Sequence, residues 1–170
     1  NPSREVEIFK ILKGKEWYPV EEIITKTTSN QGVFYNDYQI RQNMNLLNDE
    51  RKMGKFCYWM LQENKGKTFK QMFEKCNKDR IYKKILEIIN EMHSLGVVHM
   101  DLHPDNIIID DDENIFIIDF GWCIHRSFEM TETEIQNYNT LLAINFDLKH
   151  FRESLVTMKL ESEIPRLFLE

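Results

Sequence analysis

The chain has 170 residues, 42% of them hydrophobic and 29% charged, which suits one compact domain or two small ones and excludes an intrinsically disordered polymer. The formal net charge is −6, so the molecule as a whole is not built to bind a polyanion, although a local basic patch is compatible with it.

Residues 4–12 (REVEIFKIL) place apolar side chains at 6, 8, 9, 11 and 12, which suits one face of a short helix with Ser3 as its N-cap. Residues 22–26 fit a strand or a helix. Residues 27–32 are polar and predict a loop, and residues 37–50 predict a helix with Ile40, Met44 and Leu47 on one stripe. The aromatic run at 56–61 (FCYWML) predicts a buried strand. Lys65-Gly66-Lys67 breaks it, and a short helix follows over 68–75. Ile81, Ile85, Ile89 and Met92 recur at helical spacing, predicting a longer helix over 79–95 that ends at a left-handed Gly96. Val97-Val98, residues 107–109 and residues 115–118 are short β-like runs. The last two flank an acidic turn at 110–114 and read as a hairpin. Thr131 to Glu134 matches a capping box, and another polar helix start lies near Asp147.

The most informative stretch is 93–122, HSLGVVHMDLHPDNIIIDDDENIFIIDFGW. Phosphoryl transfer needs a carboxylate beside the acceptor hydroxyl, oxygen ligands for Mg²⁺ and fixed geometry between them. Asp101, in a polar loop between short strands, suits the first task as base or orienter. Asn106 offers a neutral carbonyl oxygen, and Asp119 a carboxylate at the end of a hydrophobic strand; hard Mg²⁺ (or Mn²⁺) prefers such ligands. Gly121 would let the chain turn sharply after Asp119.

The stretch resembles the protein-kinase-like superfamily, whose catalytic loop reads H-x-D-x-x-x-x-N and whose metal loop reads D-F-G. Here these are His99-Met100-Asp101 with Asn106, and Asp119-Phe120-Gly121. The resemblance implies an α+β fold with a mostly helical C-lobe and a truncated N-lobe: a partial N-lobe over 1–61, a hinge over 62–67 and the C-lobe over 68–170. It implies that Leu61 is the gatekeeper and that Gln62, Glu63 and Asn64 offer backbone groups to the adenine of ATP. Glu5 is best placed for the glutamate that pairs with a phosphate-binding lysine. His99 would brace the loop backbone. About three quarters of the chain can be aligned this way, but only 97–122 is specific.

Two departures qualify the resemblance. No G-x-G-x-x-G loop and no lysine in a V-A-I-K setting is present; on this alignment both would precede residue 1. Lys10 would imitate that lysine if residues 8–10 were a strand. The catalytic loop also reads D-L-H-P-D-N, with His103 where protein kinases usually carry lysine, and Met100 replaces an arginine. His-Pro at this place resembles kinases of small molecules and glycans, including the lipopolysaccharide or O-antigen type. The expected activity is therefore a transferase: a kinase moving the ATP γ-phosphoryl group to a hydroxyl of a glycan or other small molecule, with a protein acceptor second. His103 would serve either in phosphate contact or as a structural hydrogen-bonding group.

Two alternatives stand beside this one. Residues 8–61 can be read as a winged helix, as at the front of RIO-type kinases, with Arg41, Arg51, Lys52 and Lys55 meeting nucleic-acid phosphates. A pseudokinase interaction module is the other. The cysteines Cys57, Cys76 and Cys123 lack metal-ligand spacing and suit reduced thiols in the cytoplasm. No run approaches ~18 apolar residues, and the N-terminus has no signal-peptide core. A first residue of Asn rather than Met is expected of a processed chain or a piece of a longer one.

Overall fold

A computed structural model describes residues 2–27 and 56–158. Helix α1 spans Pro2–Leu12. It begins at Pro2, so Ser3 lies inside its first turn and does not cap it; proline's fixed φ and missing N–H suit that position. Ile8 and Leu12 are fully buried. Strand β1 (Val20–Thr27) pairs antiparallel with β2 (Phe56–Gln62), with Ile23 opposite Met60 and a register shift between Val20 and Glu22. The segment 22–26, ambiguous in sequence, is therefore a strand. The helix that a winged-helix reading needs at this place is absent. The predicted helix over 37–50 and its basic residues Arg41, Arg51, Lys52 and Lys55 lie outside the described residues.

After β2 the chain turns into β3 (Lys67–Thr68) and helix α2 (Phe69–Met72). Thr68 is the N-cap of α2, accepting from the Gln71 N–H, while the Gln71 side chain accepts from the Thr68 N–H. The predicted helix over 68–75 is thus shorter than its pattern suggests. Gly66 allows the approach of β3 to β5: it has φ +148, and a Cβ there would sit 2.5 Å from the Ile109 carbonyl oxygen.

Helix α3 (Lys78–Ser94) is the spine of the domain. Asn77 caps its N-terminus, Asp79 stands in its first turn, and Gly96, at φ 78, follows its C-terminus. Ile81, Tyr82, Ile85, Ile88, Ile89 and Met92 are buried along one face. Each such side chain contributes about 1.5–3 kcal/mol by leaving water. They meet Phe69, Phe73, Leu102, Ile107, Ile117 and Phe151 in one continuous core. Within it the rings of Phe69, Tyr82 and Phe151 contact one another at 5.8–6.1 Å.

Strands β5 (Ile107–Ile109) and β6 (Ile115–Ile117) form the predicted hairpin, with β3 on the outer side of β5. Its acidic turn is more than solvated charge. Asp110 accepts from the N–H groups of Asp112 and Asn114, and Glu113 pairs with Arg80 and accepts from the Asn77 N–H. Strand β4 (Val97–Val98) pairs with β7 (Ile124–His125). Two helices follow. Helix α4 (Glu132–Ala143) carries the predicted capping box, and α5 (Phe146–Thr157) is capped by Asn145. Trp17 locks the turn between α1 and β1 onto this frame. Its carbonyl accepts from Ile117 N–H at 2.8 Å, and its indole N–H donates to Glu91 on α3 at 2.9 Å. Helices with small antiparallel sheets make this an α+β, kinase-like fold.

Candidate active site

The β4–β7 pair sets two loops side by side. Residues 99–106 leave β4, and residues 119–123 lead into β7, with Val98 opposite Ile124. Between them lies a continuous set of hydrogen bonds. The His99 ring accepts the Asp101 N–H on Nδ1 (3.1 Å), so its proton sits on Nε2, which donates to the Ile118 carbonyl at 2.9 Å. The Ile118 N–H in turn donates to the Asn106 carbonyl at 3.0 Å. The residue preceding Asp119 is thereby tied on both sides to the loop that carries Asp101 and Asn106. Complete burial holds the His99 pKa below its ordinary value, so the ring is neutral at pH 7.

Phe120, buried, packs its ring against His99 at 4.7 Å and against Tyr18 at 5.4 Å. Asp119 itself adopts φ 62. The left-handed residue is thus Asp119, a region that Asp tolerates better than most side chains, and the expected turn follows at Gly121–Trp122, closed by the Cys123 N–H on the Phe120 carbonyl at 3.2 Å. A Cβ on Gly121 would come within 3.4 Å of an Asp119 carboxylate oxygen.

Asp101, His103 and Asn106 converge. The 3₁₀ turn Pro104–Asn106 is capped by His103, whose Nδ1 accepts the Asp105 N–H at 3.2 Å. His103 Nε2 lies 3.2 Å from the Asn106 amide nitrogen and 3.6 Å from Asp101 Oδ1. The Asn106 amide donates from Nδ2 to the Asp101 carbonyl at 2.9 Å and approaches Asp101 Oδ2 at 3.4 Å. Since a carbonyl only accepts, the amide nitrogen must face it, which leaves Asn106 Oδ1 for a cation. Among the described residues no group of three or more His, Cys, Asp or Glu side chains could hold a metal alone. Asn106 Oδ1 and the Asp119 carboxylate are a small, all-oxygen set of the kind Mg²⁺ uses when nucleotide phosphates and water supply the rest.

Glu5, on α1, is close enough to Asp119 to feel its charge. Burial first, then the Asp119 carboxylate, raise the Glu5 pKa. Lys10 is on the same helix, exposed and paired with Glu7 at 3.1 Å, so it does not act as a strand-borne phosphate lysine. Leu61 and Gln62 end β2, and Leu61 is 42% exposed. Glu63 pairs with Lys65, and Asn64 Oδ1 accepts the Gly66 N–H. These four residues make no hydrogen bond to the loop 99–106 or to Asp119 among the described residues. A cavity of about 580 Å³ lies elsewhere, between α3, the hairpin and the 16–17 turn, with Trp17, Lys84, Glu87, Asn114 and Phe116 in its wall.

Sequence reasoning missed Asp147 on α5. It is wholly buried, and its carboxylate accepts from the N–H groups of His99 and Met100 (3.0 Å each) and contacts His93 Nε2 at 2.8 Å. Burial alone would raise its pKa. The hydrogen bonds from His93 and the two backbone N–H groups outweigh that and hold it below the ordinary carboxylate value. Met100 needs the support, because it sits at φ 76, a region that costs a non-glycine residue about 1–3 kcal/mol.

Curated kinases share parts of this sequence. The chain is 42% identical over 55 residues to "Serine/threonine-protein kinase ppk8" of Schizosaccharomyces pombe, covering 31% of this chain and 11% of that protein. It is 42% identical over 69 residues to 3-deoxy-D-manno-octulosonic acid kinase of Vibrio parahaemolyticus, covering 41% of this chain and 28% of that enzyme. It is 43% identical over 42 residues to maternal embryonic leucine zipper kinase of Xenopus laevis, covering 25% of this chain and 6% of that protein. The chain thus spans well under a third of each of these relatives. The family profile described as "Protein kinase domain" matches residues 4–140. With most of its length matched by that profile, the chain belongs to the protein kinase domain family.

Proposed function

We propose that the chain carries the catalytic centre of an ATP-dependent phosphotransferase whose acceptor is a hydroxyl of a glycan or other small molecule. The observation that carries the reading is the hydrogen-bonded frame His99–Ile118–Asn106, which ties the residue before Asp119 to the loop that bears Asp101 and Asn106. In this reading Asp101 orients the acceptor hydroxyl and takes its proton as the oxygen attacks the γ-phosphorus and the bond to ADP breaks. Asn106 Oδ1 and Asp119 would hold Mg²⁺ (or Mn²⁺), which would supply neutralising charge for the transferring phosphoryl group. His103 lies beside Asp101 with its Nε2, 3.6 Å from Oδ1, within reach of a phosphate. Residues 62–67 form the hinge between a partial N-lobe (1–61) and the C-lobe (68–170), with backbone groups of Gln62, Glu63 and Asn64 on the adenine and Leu61 beside it. Glu5 lies behind Asp119 as the α1 glutamate.

A sugar-like acceptor is supported by His103 in D-L-H-P-D-N and by the match to a kinase named for a sugar acid. A protein acceptor is the second reading, favoured by the matches to serine/threonine kinases. The test is γ-phosphoryl transfer from labelled ATP with Mg²⁺ by the intact protein. Acidic sugars and lipopolysaccharide cores would be compared with generic protein substrates, and Asp101→Asn and Asp119→Asn run beside the wild type. Transfer to the sugars, lost in both variants, is expected. Transfer to protein substrates alone overturns the acceptor assignment. Undetectable Mg²⁺–ATP binding by the intact protein overturns the enzyme reading and leaves an interaction module.

A further inference from the structure

The Asp101 carboxylate has a neighbour that the phosphotransfer motif does not contain. His150, on α5, points its Nε2 at Asp101 Oδ1 from 3.7 Å. That nitrogen is buried and has no hydrogen-bond partner. A buried polar nitrogen without a partner is uncommon, and each exception calls for an explanation. The ring is held by stacking on Phe146, one helical turn away, with centroids 5.5 Å apart and planes at 10°. Its backbone is equally well set. His150 lies three residues after Asp147 on the same helix face, and Asp147 is bonded to the backbone of the loop that bears Asp101. Helix α5 therefore holds this loop at its backbone and places an imidazole beside its carboxylate.

From this geometry we infer that His150 is a positioning residue for Asp101, an inference that rests on the phosphotransfer reading above. A shift of about 0.5–0.8 Å brings the pair to hydrogen-bond length, with Nε2–H donating to Oδ1. His103 Nε2 approaches the same oxygen from 3.6 Å. A bond from His150 to Oδ1 would fix the carboxylate plane and hold Oδ2, which the Asn106 amide approaches at 3.4 Å, toward the acceptor hydroxyl. Such a bond does no chemistry itself. It restricts the rotation of the group that does, which affects turnover and leaves ATP binding alone.

Two variants separate this role from packing. His150→Phe keeps a ring on Phe146 and removes the donor, whereas His150→Gln restores an N–H near the same place. In the intact protein, His150→Phe is expected to lower kcat by about tenfold with little change in KM for ATP or in the melting midpoint, the size of one lost hydrogen bond. His150→Gln should recover most of that loss. A second measurement needs no turnover. In ¹H–¹⁵N imidazole spectra His150 should carry its proton on Nε2, and Asp101→Asn should move that resonance. Unchanged kcat in His150→Phe when the wild type is active, or a proton on Nδ1, overturns the inference. A wild type that transfers no phosphate overturns the phosphotransfer reading instead, and the spectra still decide whether His150 is bonded to Asp101.

Discussion

Replacing Asp147 by alanine removes three hydrogen bonds at once, those from His99 N–H, Met100 N–H and His93 Nε2. His99 is fully buried, so its N–H gains no water in exchange. A buried group left without its partner costs about 1–3 kcal/mol. The left-handed Met100, no longer pinned, adds an unsupported strain of similar size. Together these predict a loss of about 3–5 kcal/mol, a large part of the ~5–15 kcal/mol that stabilises an ordinary domain. The milder Asp147→Asn is more discriminating. A carboxylate accepts on both oxygens, whereas an amide accepts on one and presents N–H₂ on the other, so either the His99 or the Met100 N–H must face a donor. About 1–3 kcal/mol is expected. Urea unfolding followed by circular dichroism measures both, and hydrogen exchange of the His99 and Met100 amides localises the effect. Those amides should be protected in the wild type and exchange faster in Asp147→Asn. A loss under about 1 kcal/mol in Asp147→Ala, or unchanged exchange, would refute the bracing role.

Other consequences are equally direct. The His99 pKa is lowered by burial, so as pH falls below ~6.5 the unfolded chain takes up a proton that the folded one refuses. This contribution is complete above that pH and declines by at most about 1.4 kcal/mol per pH unit on the acid side. His125, lowered by burial too, adds in the same direction, and Asp147, lowered in turn, adds a further loss as pH falls through the carboxylate range. Melting midpoints between pH 8 and pH 5 should therefore fall toward acid, and a flat profile would contradict the assignment of a neutral buried His99. Gly66→Ala drives a Cβ into the Ile109 carbonyl and should cost about 2 kcal/mol or more in urea unfolding, by parting β3 from β5. Cys123 is fully buried with its thiol pushed up to about 12, so thiol reagents at pH 8 should label it only as fast as the fold opens. Rapid labelling of the native protein would show that this side of the site is open.

What could be read from the sequence was local. The α3 face has a helical period, Gly96 marks its end, and the Ile107–Ile109 and Ile115–Ile117 hairpin is bounded by an acidic turn, so adjacent residues suffice to specify each. His99, Asp101, Asn106 and Asp119 were legible as a spaced pattern for a related reason, because they stand in the segments just before and just after one hairpin. Asp147 and His150 were not. They act on residues more than forty positions away, across a helix packing that no sequence period encodes. The turn expected at Gly121 is present over Gly121–Trp122, but the positive φ at Asp119 was not legible, because glycine is the usual signal for that region. The helix start was misplaced at Ser3 for a similar reason: a good capping side chain was preceded by a proline that already suits a first turn.

The attachment of Asp147 to the loop also has a direction in time. A chain is synthesised from its N-terminus, and domains acquire structure as segments emerge. The loop at 99–106, the hairpin and Asp119 are all made before residue 147. During that interval the His99 and Met100 N–H groups lack their carboxylate, and Met100 has no reason to hold its left-handed turn. The chemical groups would exist as sequence well before they exist as a site. Acquisition of the site's geometry is thus tied to the docking of a late helix, and a nascent chain halted short of α5 should lack both the core contacts of Phe151 and Leu155 and the carboxylate that anchors the 99–106 loop.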